Sequence, residues 1–189
     1  MAIGASAGGP TAIERILSQL PNQLPAALVV SQHMASGFTE YFAERLAAAS
    51  SLRITEAHDG DVLKASNVFV TPSGHDMVVE TNGRIHLQES EQTPSPSIDT
   101  MMKSVADAYG PRSVGVLLTG MLTDGVLGMK AIKHHGGVTI AQDESSSLVF
   151  GMNKAAIDSG VVDVVAHISI MATRIVNAVL ECGETPRNP

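Results

Sequence analysis

The chain has 189 residues, 44% of them hydrophobic, and a formal net charge of −7. That length supports one self-sufficient core, and no apolar run reaches the roughly 18–20 residues of a membrane span. Twelve scattered basic residues, no tryptophan, two tyrosines and four phenylalanines argue against a nucleic-acid surface or a stacking platform for bases or sugars. No basic region precedes an apolar stretch at the amino end, so no secretory signal is visible. The single cysteine, Cys182, has no partner for an internal disulfide. It fits a reducing, cytoplasmic setting and reads as an ordinary residue of a terminal helix.

Taken in order, the stub Ala2-Ile3 leads into Gly4-Ala5-Ser6-Ala7-Gly8. A helix is predicted next, with Ala12, Ile13, Ile16, Leu17 and Leu20 on one stripe and Pro10 just inside its start. Residues 26–31 read as a buried strand, followed by a helical stripe of Phe38, Phe42, Leu46 and Ala49. Short strands are expected at 52–55 and 68–70. Met77 to Glu80 and Ile85 to Leu87 flank Asn82-Gly83, the signal of a hairpin with a type I′ turn. The polar stretch 89–97 reads as a surface connection. Ile98, Met101, Met102 and Val105 form a third stripe, then a strand is expected at 114–118. Leu127, Ala131 and Ile132 continue the alternation, with a strand at 138–141 and a closing helix at 168–181. Near-continuous apolar runs suit strands covered on both faces. The expected fold is α/β: a doubly wound, mainly parallel sheet with helices on both faces and an antiparallel hairpin. No repeat or boundary interrupts it, so residues 1–189 are expected to form a single domain.

In such sheets ligands bind beyond the carboxyl ends of the strands. This rule selects Ser6, His33, His58 and Asp59, His75, Met121 and Asp124, and Asp143, each of which follows a predicted strand. Gly4-x-Ser6-x-Gly8 satisfies the nucleophile-elbow pattern, in which small neighbours permit a tight turn and a helix N-terminus supplies N–H groups. A glycine-rich turn of this kind also cradles phosphate, and the motif alone leaves nucleophile, phosphate or nucleotide cradle, and plain packing open. The serine comes first in the chain, unlike the order of α/β-hydrolases. Asp124 is equally suited to cap a helix over 126–135. His134 and His135 are adjacent, so they point apart on a helix and make a poor metal pair. No Cys/His cluster suggests zinc.

Together, IGASAGGP (3–10), SQHMASGFTEYFAERL (31–46), PSPSIDTMMKSVA (94–106), LLTGMLTDGVLGM (117–129) and GGVTIAQDESSSLVFGMNKAAI (136–157) resemble the catalytic domain of the CheB family, the bacterial chemotaxis protein-glutamate methylesterases. The resemblance covers nearly the whole chain. It implies a triad of Ser6, His33 and Asp124, and an oxyanion hole built from the backbone N–H groups of Met121 and Ala7. It implies hydrolysis of γ-glutamyl methyl esters on the cytoplasmic domain of chemoreceptors, with glutamine deamidation in some members. Neither a metal nor an organic cofactor is expected, and neither nucleic acid nor membrane insertion. Ala7 stands where many members carry threonine, Leu122 where glycine is usual, and 71–77 is a divergent version of a glycine-rich segment. Members typically carry an amino-terminal receiver domain that covers the site, and nothing in these residues corresponds to one.

Overall fold

The computed structural model describes residues 1–183; the last six residues of the expected domain lie outside it. In chain order the elements are β1 (Ala2–Ala5), α1 (Gly9–Leu17), β2 (Leu28–Gln32), α2 (Thr39–Ala49), β3 (Arg53–Glu56) and β4 (Asn67–Val70). They continue with β5 (His75–Val79), β6 (Ile85–Glu89), α3 (Ile98–Tyr109), β7 (Val114–Leu117), α4 (Val126–His134), β8 (Val138–Gln142), α5 (Met152–Asp158), β9 (Val164–Ala166) and α6 (Ile168–Gly183). Seven strands form one sheet in the order β3-β4-β2-β1-β7-β8-β9, and every pairing in it is parallel.

The buried runs explain this architecture. Successive side chains of a strand point to opposite faces, and here both faces are covered. Ile3, Val30 and Val116 pack into a core with the apolar faces of α1, α2 and α6. Ala2, Val29 and Leu117 pack into a second core with α3, α4, α5 and the hairpin. Cys182 is buried in α6, in the first of these cores. β1, short as it is, is the central strand, and Gly4 aligns with Ser31 on one side and Leu117 on the other. The carboxyl ends of β1, β2 and β7 are therefore level at the switch point of the sheet.

Several local expectations need correction, although the antiparallel hairpin β5–β6 is present as expected, as a two-stranded sheet of its own. Its turn is not type I′, which needs positive φ at both central residues; only Gly83 adopts it, at φ 79°. The Gly83 N–H donates to Glu80 O and the Glu80 N–H to Arg84 O, so Thr81, Asn82 and Gly83 form a three-residue loop closed by the glycine. Phe38 precedes α2 and is 60% exposed, and Leu127 is 54% exposed on α4; Ala49 is exposed as well. The expected Phe42, Leu46 and Ile132 are buried, joined by Ala43 on α2 and Met129 on α4. The α5 helix and the three-residue β9 carry too few periodic residues to be expected from sequence.

Candidate active site

Ser6, His33 and Asp124 come from the loops that follow β1, β2 and β7, and the structure brings them into one chain of hydrogen bonds. Ser6 Oγ lies 3.1 Å from His33 Nδ1, and His33 Nε2 lies 2.8 Å from Asp124 Oδ2. The imidazole side chain is 6% exposed and the carboxylate 17%, so little water competes for either bond. Burial works against ionisation of Asp124. Hydrogen bonds from His33 and from the Ile98 and Asp99 backbone N–H groups outweigh it and hold the carboxyl below its ordinary range. An ionised Asp124 places the imidazole proton on Nε2 and leaves Nδ1 free to accept from the serine hydroxyl. Such an arrangement can remove a proton from Ser6 and return it to a leaving group.

The serine is not exposed by strain on itself. Gly8 is the left-handed residue of the turn, at φ 82°, whereas Ser6 is not among the positive-φ residues. The glycines of the motif are taken up by packing. A Cβ on Gly4 would meet Ile98 Cγ2 at 2.2 Å, one on Gly8 would meet Leu148 Cβ at 2.7 Å, and one on Gly9 would meet Gln32 Oε1 at 1.9 Å. The Gly9 N–H donates to Ser6 O. Packing against these neighbours thus accounts for the glycines without a bound phosphate.

Three residues that the sequence reading passed over hold the site in place. Gln32 Nε2 donates to both Ser6 O and His33 O, each at 2.9 Å, tying the serine turn to the histidine strand. The Ser6 N–H donates to Thr119 O at 3.0 Å, and Thr119 Oγ1 donates to Ala7 O at 2.8 Å. Gln142 Oε1 accepts from the Thr119 N–H at 3.0 Å. The loop carrying Met121 is thereby fastened beside Ser6; a Cβ on neighbouring Gly120 would meet Ser6 Cβ at 2.8 Å. Among the described residues, the Ala7 and Met121 N–H groups have no hydrogen-bond partner, as donors for an incoming oxyanion require. Burial of Gln32, Thr119 and Gln142 was the signal available: polar residues at the ends of buried strands need partners.

Asp124 does not cap the helix that follows it. Gly125 is the N-cap of α4, and the Asp124 carboxylate instead accepts from Ile98 N (2.8 Å) and Asp99 N (2.9 Å), the first N–H groups of α3. The positive end of α3 thus faces the carboxylate. The remaining candidates serve elsewhere. Asp59 accepts from the Leu87 N–H and pairs with His86, Asp143 closes a turn on Ser145 and Ser146, and His75 opens β5. His134 and His135 end α4, at the opposite end from Asp124.

Leu122 adopts φ 65° while 65% exposed. A left-handed conformation costs a bulky L-residue roughly 1–2 kcal/mol, which burial does not offset here. Leu122→Gly is expected to raise the urea unfolding midpoint, with a net gain of about 1 kcal/mol or less because glycine loses more backbone freedom on folding. A lowered midpoint would contradict the strain. A cleft of about 550 Å³ opens beside His33, lined among others by Met34, Ser73, Gly74, Thr93 and Ser95. A second cavity of about 440 Å³, lined by Ala27, Tyr109, Val114 and Cys182, lies at the other edge of the sheet and holds none of these candidates.

The family model described as CheB methylesterase matches residues 1–175. A protein-glutamate methylesterase/protein-glutamine glutaminase 3 of Geobacter sulfurreducens is 47% identical over 188 residues, covering 97% of this chain and 50% of that protein. A protein-glutamate methylesterase/protein-glutamine glutaminase of Moorella thermoacetica is 42% identical over 189 residues, covering 97% of this chain and 45% of that protein. The chain thus spans about half the length of the curated relatives it matches. The crystal structure of the Thermotoga maritima CheB methylesterase catalytic domain superposes with a TM-score of 0.89 at 34% identity, over 93% of this chain and 96% of that one. Among the described residues no helix is long and apolar enough to cross a membrane. On the sequence match and the shared fold together, the chain belongs to the CheB methylesterase family.

Proposed function

We propose that this chain is a serine esterase that hydrolyses γ-glutamyl methyl esters on the cytoplasmic domain of chemoreceptors. The observation that carries the reading is the Ser6–His33–Asp124 relay, with both links at hydrogen-bond length; the names of its relatives supply the substrate class. Ser6 Oγ attacks the ester carbonyl as its proton passes to His33 Nδ1. The Ala7 and Met121 N–H groups receive the oxyanion, each donor lowering the barrier by roughly 2.7–4 kcal/mol. His33 then returns the proton to the departing methoxy oxygen, and methanol leaves. A water molecule, deprotonated by the same nitrogen, hydrolyses the glutamyl-serine ester. Asp124 holds the tautomer and stabilises the imidazolium in both halves.

The same steps on a glutamine side chain release ammonia in place of methanol, and the relatives carry both activities in their names. Exposed Met121, Leu122 and Leu148 surround the serine with apolar surface, which suits a macromolecular substrate presenting its side chain from a helix. Methanol release from a methylated receptor cytoplasmic domain tests the reading, together with a fluorophosphonate adduct located by mass spectrometry. Methanol release with the adduct on Ser6 is expected; ammonia release alone from matched peptides would assign a deamidase. Absence of both products would refute the reading.

A further inference from the structure

The facing ends of α3 and α4 cap one another. Asp124, from the loop before α4, accepts from the first two N–H groups of α3. Asp99, in the first turn of α3, reaches the other way: its Oδ1 accepts from the Gly128 N–H in the first turn of α4 at 2.7 Å. That helix has no side-chain cap of its own, since Gly125 occupies its N-cap, whereas α3 has Ser97, which accepts from the Thr100 N–H. Asp99 therefore supplies α4 with a cap its own N-cap residue cannot provide. The two helices can approach this closely because Gly128 lacks a Cβ, which would sit 2.4 Å from Met102 Cβ.

An acidic residue in a first turn is ordinary, and its own helix dipole would be explanation enough if Asp99 pointed to solvent. It is partly buried, and burial, helped by the charge of Asp124, pushes its carboxyl above the ordinary range despite the Gly128 N–H and Lys103. Placing a second carboxylate behind the first is costly unless the bond it makes is needed. The bond fixes the start of α4 against α3, and the loop bearing Asp124 runs directly into that start.

We propose that Asp99 is a positioning residue for the esterase site: its hydrogen bond to the Gly128 N–H fixes where the Asp124 carboxylate meets the His33 imidazole. The role rests on the esterase reading for its effect on turnover, and on the geometry alone for its effect on the His33–Asp124 bond. Asp99→Asn keeps an oxygen that can accept from Gly128, whereas Asp99→Ala does not.

The test measures kcat and KM for methanol release from a methylated receptor cytoplasmic domain, alongside the low-field proton resonance of His33 Nε2–H. Asp99→Ala is expected to lower kcat on the order of 10²-fold, the scale of a 1 Å misplacement, with KM within about twofold and the low-field proton lost. Asp99→Asn is expected to retain that proton and most of kcat. Adding Asp99→Ala to an Asp124→Ala background is expected to cost nothing further, because the residue acts through Asp124. Should Asp99→Ala fail to fold, Asp99→Glu, which displaces the carboxylate by one methylene, is expected to show the same loss of kcat and of the proton. Wild-type kcat in whichever of Asp99→Ala and Asp99→Glu folds, equal losses in Asp99→Asn and Asp99→Ala, or a full loss persisting without Asp124 would overturn the proposal. A wild type that shows the proton and its dependence on residue 99 but releases no methanol would instead refute the esterase reading.

Discussion

Ser6→Ala is expected to fold normally and to lose turnover on the order of 10⁶-fold, as removal of a nucleophile does when the triad acts as a unit. The hydroxyl has one partner among the described residues, His33 Nδ1, so its removal costs stability only about 1 kcal/mol. The backbone of Ser6 is held independently: its N–H donates to Thr119 O, and its carbonyl accepts from Gln32 Nε2 and the Gly9 N–H. The turn therefore keeps its shape with alanine in place. Methanol release and fluorophosphonate labelling are expected to vanish together while the unfolding midpoint stays nearly constant. Retained hydrolysis in a pure preparation would remove Ser6 as the nucleophile.

Asp124→Asn is expected to cost about 10⁴-fold in kcat, as a wrong imidazole tautomer does, and to destabilise the fold as well. The carboxylate accepts from four donors: His33 Nε2 and Ile98 N on Oδ2, and Asp99 N and Gly125 N on Oδ1. An amide has one oxygen. If its NH2 takes the Oδ2 place, it faces His33, which must then carry its proton on Nδ1 and can no longer accept from Ser6. If it takes the Oδ1 place, the Asp99 and Gly125 N–H groups lose their acceptor. Either way a partly buried donor is stranded, at roughly 1–3 kcal/mol.

The pH dependence of stability follows the same carboxyl. Its pKa is lower in the folded chain than in the unfolded one, so its contribution is fully present above the unfolded value and is lost as pH falls through the folded value. Asp124→Asn is expected to remove that contribution at neutral pH and to flatten the acid side of the stability curve. Urea midpoints between about pH 3 and 7 decide it, and parallel curves for the two proteins would contradict the assignment.

Much of this site was legible because the sheet is parallel. Residues that follow β1, β2 and β7 must emerge at one edge, which put Ser6, His33 and Asp124 among the candidates; the family resemblance then singled out those three. The apolar runs at 26–31, 68–70 and 114–118 read clearly as strands, since burial on both faces leaves no polar alternation to confuse them. What could not be read depends on partners distant in sequence. Asp124 looked like a cap for the helix beside it, but its acceptor lone pairs are used by a helix that starts 26 residues earlier. Gln32 and Thr119 sit at strand ends, where their polarity calls for partners without saying which, and the strain at Leu122 is a property of backbone geometry that a leucine does not announce. The Asn82-Gly83 pair signalled a turn correctly but not its type, because Gly83 alone supplies the positive φ.

The glycine in the middle of β1 has an effect on how this protein fails under heat. Because Ile98 rests where a Gly4 side chain would be, the amides that steady Asp124 belong to the helix end lying on the innermost strand. Local opening in proteins begins where few buried contacts hold a segment, and this helix end is not such a place. Loss of methanol release on heating is therefore expected to track cooperative melting of the whole sheet, with turnover per folded molecule held until that melting begins.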